Sequence, residues 1–112
     1  MKIALATETF YPTVDGTTTT VKAVADRLID TGHEVRILAP GRGLSTYRGS
    51  RVVRTRPLDS PGAQARDALV EFAPDLVHVT SPGTLGRKVL KHARRLGIAS
   101  TVSDRWATLA RQ

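Results

Sequence analysis

Six residues have types and positions suited to ligand chemistry: Glu8, Asp15, Gly16, Thr17, Ser81 and Gly83. Asp15-Gly16 stands directly before an amphipathic helix. A glycine there lets a phosphate come within hydrogen-bonding distance of backbone N–H groups, at the positive end of the helix dipole. Thr17 flanks it with a hydroxyl. Ser81-Pro82-Gly83-Thr84 repeats the arrangement, following an apolar strand and leading into a second helix, so it suits an anion or a sugar hydroxyl. Glu8 follows the first strand, where a carboxylate can accept hydrogen bonds from sugar hydroxyls. Each has a plain structural alternative. Asp15 can cap its helix while Gly16 turns, Thr84 can cap the other helix, and Glu8 can be a surface carboxylate. The loop from Thr7 to Gly16 is longer than a turn requires, which favours binding.

Other chemistries find little support. His33, His78 and His92 fall on separate elements without ligand spacing, so no metal site is expected. His78 lies mid-strand between Val77 and Val79 and reads as a buried, hydrogen-bonded histidine rather than a base. With no cysteine, disulfides, thiolate catalysis and cysteine-bound zinc are excluded. The chain lacks a Walker phosphate loop, a three-glycine dinucleotide fingerprint and a Gly-x-Ser-x-Gly elbow, which disfavours P-loop NTPases, dehydrogenases and α/β-hydrolases. No catalytic residue can be named from the sequence.

The elements that would position these residues are legible. Residues 2–6 form an apolar strand. Val21, Val24, Ala25, Leu28 and Ile29 recur with helical spacing, and Gly32 stops that helix. Thr17 to Thr20 are expected to lead into it, since their hydroxyls suit caps better than helix interiors. Residues 34–39 read as a strand covered on both faces. Four turn formers make residues 40–50 a mobile loop. A short, charged third strand follows at 51–55, near a sheet edge. A turn is expected over 57–62, a helix over 63–72 ended by Pro74, a strand over 75–80, a helix over 84–96 stopped by Gly97, and a fifth strand over 98–102. Strands alternating with helices imply an α/β, Rossmann-like three-layer sandwich with a mostly parallel sheet of about five strands. Such sheets bind ligands beyond the carboxyl ends of their strands, here residues 7–16, 39–43 and 80–83.

At 112 residues the chain is one domain at most, taken as residues 1–102 with a divergent tail at 103–112. Its net charge is +7, and thirteen of its seventeen basic residues are arginine. Arg87, Lys88, Lys91, His92, Arg94 and Arg95 crowd one helix, while Arg42, Arg48, Arg51, Arg54 and Arg56 surround the third strand. A solvated face, an anionic membrane surface and a small phosphorylated ligand all fit this charge. Nucleic acid is disfavoured, because five aromatic residues make no stacking platform. No signal peptide is read at the amino terminus, and no apolar run approaches the ~20 residues that cross a bilayer. A cytoplasmic protein, peripheral at the inner face of the membrane, is the expectation.

The wording of the chain adds to this. Thr7-Glu8-Thr9-Phe10-Tyr11-Pro12 with Asp15-Gly16, then Gly32-His33-Glu34-Val35 and Ala39-Pro40-Gly41, resembles the opening of a retaining glycosyltransferase of the GT-B fold. The nearest kin are of the family 4 type, including nucleotide-mannose-dependent mannosyltransferases. Pro74-Asp75-Leu76-Val77-His78-Val79, Ser81-Pro82, Leu85-Gly86 and Ala93-Arg94-Arg95-Leu96-Gly97-Ile98 agree with it in order and spacing. The resemblance implies an amino-terminal, acceptor-side domain in which Gly16, matching the family's glycine, faces the donor diphosphate. It implies hexosyl transfer from a nucleotide-sugar to a lipid, polyol or glycan acceptor, with retention, without a metal and without a further cofactor.

The chain departs from the family in two places. The second domain, which binds most of the donor nucleotide, is not in this sequence. A polar ligand expected after the fifth strand is replaced by Thr101-Val102-Ser103-Asp104-Arg105-Trp106. The expectation is therefore half an enzyme, truncated in nature, by a shifted frame or by a cut made in the laboratory, and inactive without a separate carboxyl-terminal half. The tail, with Trp106, Leu109 and Ala110 apolar, is expected to form a short helix. The rival reading is a non-catalytic binding or interaction module of the same fold.

Overall fold

In chain order the elements are β1 (Lys2–Ala6), α1 (Gly16–Asp30), β2 (Glu34–Pro40), β3 (Thr46–Tyr47), β4 (Ser50–Thr55), α2 (Pro61–Phe72), β5 (Leu76–Val79), α3 (Thr84–Leu96) and β6 (Ala99–Val102). These come from a computed structural model, which describes residues 1–11, 16–56, 61–80 and 83–103.

The strands form one sheet in the order β3-β4-β2-β1-β5-β6. All pairs are parallel except β3 with β4. From β1 the chain moves outward through β2 to β4, then crosses back to add β5 and β6 on the other side. The direction reverses between β1 and β5, where Ile3 to Ala6 pair with Leu76 to Val79. The crevice beyond the carboxyl ends of those two strands is the ligand site that such a topology offers.

The apolar runs of β1 and β2 follow from burial on both faces. On one face Leu5, Val35, Ile37, Ala39 and Val52 pack with Val21 and Ala25 of α1. On the other, Ala4, Ala6, Leu38, Val77 and Val79 pack with Ala65 and Leu69 of α2 and with Leu85, Val89 and Ala93 of α3. Three layers result. Gly97 closes α3 in the left-handed conformation, with φ 72°.

Three expectations change. The sheet has six strands, because β3 lies within the segment read as a mobile loop. Thr46 and Tyr47 pair with Arg51 and Ser50, turning through Arg48 (φ 48°) and Gly49 (φ 83°). Two positive φ values in succession give the tight hairpin whose twist matches the strands. Tyr47 fixes the hairpin by packing on Phe10 and Tyr11 and by donating its hydroxyl to Asp26 Oδ1 at 2.7 Å. Second, the threonines after Gly16 lie inside α1. Thr18 is fully buried, and Thr20 Oγ1 donates to the Gly16 carbonyl at 3.0 Å. Third, α2 begins at Pro61, inside the segment expected to be a turn. The rest of the expected turn, residues 57–60, lies outside the described residues. α3 spans Thr84–Leu96 as read, and its cap position is Gly83, so the alternative of Thr84 as a cap does not hold. The expected tail helix also lies outside the described residues, apart from Ser103. Among the described residues, no helix is long and apolar enough to cross a membrane.

Candidate functional site

β1 delivers the chain to the reversal point, and Glu8 crosses it. The Glu8 carboxylate accepts hydrogen bonds from the N–H groups of Leu85 at 3.2 Å and Gly86 at 2.8 Å, in the first turn of α3. The helix has no side-chain cap of its own at Gly83, whose backbone is extended. Glu8 thus supplies the missing cap from another element and sets a negative charge at the positive end of the helix. Gly83 makes room for it. A Cβ there would lie 2.4 Å from Glu8 Cδ.

A cleft of about 500 Å³ opens beside this contact, lined by Glu8, Pro40, Gly41, Thr55, Arg56, Thr84 and Leu85. Its walls are the carboxyl ends of β1, β2 and β4 and the start of α3. Gly41 turns away from β2 at φ 78° and donates its N–H to the Thr55 carbonyl at 2.9 Å, tying two of those ends together. Arg54 binds the same rim from below. Its guanidinium donates to the carbonyls of Tyr11, Leu44 (3.0 Å) and Pro40 (3.3 Å), and lies 5.8 Å from the Phe10 ring centre. Burial pulls the Arg54 pKa downward. One side chain therefore holds three rim segments.

Gly16 and Thr17 open α1 at the end of the connection from β1, Gly16 exposed and Thr17 half-buried. They do not line the cleft. Asp15 and Ser81 lie outside the described residues. Of the six residues singled out in the sequence, the structure brings Glu8 and Gly83 into contact.

His78 is not an available base. Its two ring nitrogens lie 2.7 Å from Thr101 Oγ1 and 2.6 Å from Ser103 Oγ, and burial lowers its pKa. Among the described residues, no cluster of histidine, aspartate and glutamate could hold a metal ion.

A model of Glycosyltransferase Family 4 matches residues 14–106, most of the chain. The chain belongs to glycosyltransferase family 4. It is 38% identical over 116 residues to a GDP-mannose-dependent alpha-mannosyltransferase of Mycolicibacterium smegmatis, covering 89% of this chain and 31% of that protein. A GDP-mannose-dependent alpha-mannosyltransferase of Mycobacterium tuberculosis is 36% identical over 114 residues, covering 88% of this chain and 30% of that protein. The chain thus spans about three tenths of the length of the curated relatives that it matches. Among solved structures it resembles the C-terminal domain of a hydrogenase from Pyrococcus furiosus, with a TM-score of 0.63 and 15% identity, covering 92% of this chain and 90% of that one. That likeness shows the Rossmann-like fold alone.

In this family 4 domain the cleft takes in the end of β4, Thr55 and Arg56, which was not among the expected ligand-facing ends. The signal was present, since the carboxyl end of every parallel strand faces the ligand side. Thr55 ends β4 fully covered, and exposed Arg56 donates its backbone N–H to Gln64 Oε1 at 2.8 Å. The rim can therefore meet a ligand with the Glu8 carboxylate, the Arg56 guanidinium and the hydroxyl of exposed Thr84.

Proposed function

We propose that this chain forms the acceptor-side half of a hexosyltransferase that moves mannose from GDP-mannose to a hydroxyl of a lipid, polyol or glycan. The observation that carries the reading is the cleft at the sheet's reversal point, where Glu8 at the end of β1 meets the start of α3. The start of α3 is already occupied by the Glu8 carboxylate. The start of α1 is assigned to the diphosphate, with Asp15, Gly16 and Thr17 at the donor phosphates, since a helix N-terminus favours an anion. Glu8, Ser81 and Gly83 are assigned to the acceptor side, where free lone pairs of Glu8 can take sugar hydroxyls while it caps the helix. The names of the relatives support the choice of sugar and nucleotide.

Transfer needs donor and acceptor aligned and water excluded, which one wall cannot achieve. A second domain closing over the crevice is part of the proposal, as is transfer with retention and without a metal. An anionic membrane presenting the acceptor fits the net charge of +7.

The test is reconstitution. The chain is co-expressed with the part of the M. smegmatis relative that it does not cover, then assayed for mannose transfer from labelled GDP-mannose to a lipid extract. Transfer that needs both partners, and that drops on Gly16→Val, supports the proposal. A stable complex with no transfer above the separate parts favours the non-catalytic module instead.

A further inference from the structure

A groove of about 540 Å³ runs between α2 and α3 and shares no lining residue with the cleft. Gly62, Arg66, Lys88, Lys91, His92 and Arg95 line it. Its charge is one-sided. Among the described residues, Arg66, Lys88, Lys91 and Arg95 form no ion pair, whereas Lys2, Lys22, Arg36, Arg48 and Arg51 all do. Lys88, Lys91 and Arg95 stand three and four residues apart on α3, a spacing at which like charges destabilise a helix. The first turn of α2 holds no acidic residue, so its positive end adds to the same field. Buried Gly62 lies under this field, and a Cβ on it would come 3.4 Å from Lys88 Cδ and 3.6 Å from His92 Nε2. His92 registers the potential. Its pKa is lowered first by burial and then by the charges of Arg95, Lys91 and Arg66, against a raising hydrogen bond with the Gly62 backbone.

We infer that this groove is a second anion site, which takes a phosphate group through Arg66, Lys88, Lys91 and Arg95. Several donors converge on a recess floored by a glycine, and charge-assisted hydrogen bonds to phosphate oxygens relieve their mutual repulsion. No Phe, Tyr or Trp lines the groove, so the ligand is read through its phosphate. Free phosphates and diphosphates share this chemistry with anionic lipid headgroups.

The test follows the His92 imidazole resonance of the full chain by NMR across a pH titration, identified with His92→Gln. Sodium pyrophosphate is compared with sodium chloride at matched ionic strength, and phosphatidylglycerol vesicles with phosphatidylcholine vesicles. The inference predicts a saturable rise of the His92 pKa with pyrophosphate or with phosphatidylglycerol. The first response assigns the site to soluble phosphates, the second alone to lipid headgroups. Lys88→Gln and Arg95→Gln should each weaken the response by roughly tenfold, the worth of one charge-assisted hydrogen bond. Gly62→Asp should fold, because its φ is not positive and the nearest atom to its Cβ is on a flexible lysine stem. That variant carries its own carboxylate into the groove, so its His92 pKa should start high and respond to neither ligand. A His92 that ignores pyrophosphate and both vesicles, or follows chloride equally, would overturn the inference. No nucleotide-sugar is used, so the outcome is separate from that of the transferase reading.

Discussion

Glu8 and Gly83 are fitted to each other across the reversal point of the sheet. A Cβ at position 83 would stand 2.4 Å from Glu8 Cδ and 2.8 Å from Oε1, while the same carboxylate accepts from Leu85 and Gly86 of α3. A glutamate after the first strand and a glycine after the fifth thus act as one device. It docks the α3 start onto the β1 end and shapes the cleft beside them.

That pairing predicts non-additive substitutions. Glu8→Ala removes a charged cap and should cost about 1 kcal/mol of stability. Gly83→Ala drives a methyl group into the carboxylate and should cost about 1–3 kcal/mol. In the double variant the clash is gone, so its loss should be smaller than the sum of the two. Urea denaturation of all three measures the coupling, and simple additivity would show that the two residues do not communicate.

Arg54 should be the rim's least replaceable cation. Arg54→Ala leaves the Tyr11, Pro40 and Leu44 carbonyls without this donor and should cost about 2 kcal/mol. Arg54→Lys keeps the charge but loses the planar fork, so it should recover only part of the stability. Hydrogen exchange should quicken at the Gly41 and Leu44 amides in both variants, and full recovery by lysine would contradict the stapling role.

Acid should weaken the fold through His78. Its pKa is lowered by burial, so the unfolded chain binds the proton more readily than the folded one. Stability is then complete above the ordinary value of 6.5 and falls as pH drops below it, down to the folded pKa. His92 has the same sign and adds to the slope. His78→Gln should flatten the dependence below pH 6.5 without abolishing it, as read by thermal unfolding. An unchanged slope would remove His78 from the account.

The β3–β4 hairpin has an acid limit of its own. Asp26 accepts from Lys22 Nζ at 2.8 Å, Tyr47 OH at 2.7 Å and Arg48 Nη1 at 3.0 Å, and these partners hold its pKa down to about 2. A depressed carboxylate stabilises the fold above its unfolded pKa of 3.8 and loses that contribution as pH falls toward 2. The side chain is 25% exposed, so solvent screening leaves about 1 kcal/mol of the effect. Asp26→Asn should lose that amount at pH 7 and show no further loss from this group in acid. Tyr47→Phe should reproduce part of it.

The parts of this fold that depend on local pattern were legible in the sequence. The apolar runs of β1 and β2, the stripe Leu85–Val89–Ala93 and the stops at Gly32 and Gly97 each follow from residues close in the chain. β3 was not legible, because two residues carry no periodicity and the strand exists through the contact of Tyr47 with Asp26, 21 positions away. The Arg48-Gly49 turn was equally hidden, since arginine seldom takes a positive φ. Thr84 stood open as a cap because caps are sought nearby, whereas the carboxylate that accepts from this helix start, Glu8, is 78 positions away from Gly86. Only the strand order brings Glu8 there. Thr55 and Arg56 were overlooked for a simpler reason: the carboxyl end of the charged strand was not counted among the ligand-facing ends.

The central claim is that the start of α1 seats a donor diphosphate. It is tested most directly by the amide resonances of Gly16 and Thr17 in the 15N-labelled full chain during titration with GDP-mannose. The account predicts saturable shifts at both amides, together with cleft residues Gly41 and Leu85, and the loss of the Gly16 and Thr17 shifts in Gly16→Val. Stationary Gly16 and Thr17 amides, while resonances elsewhere shift and saturate, would contradict it.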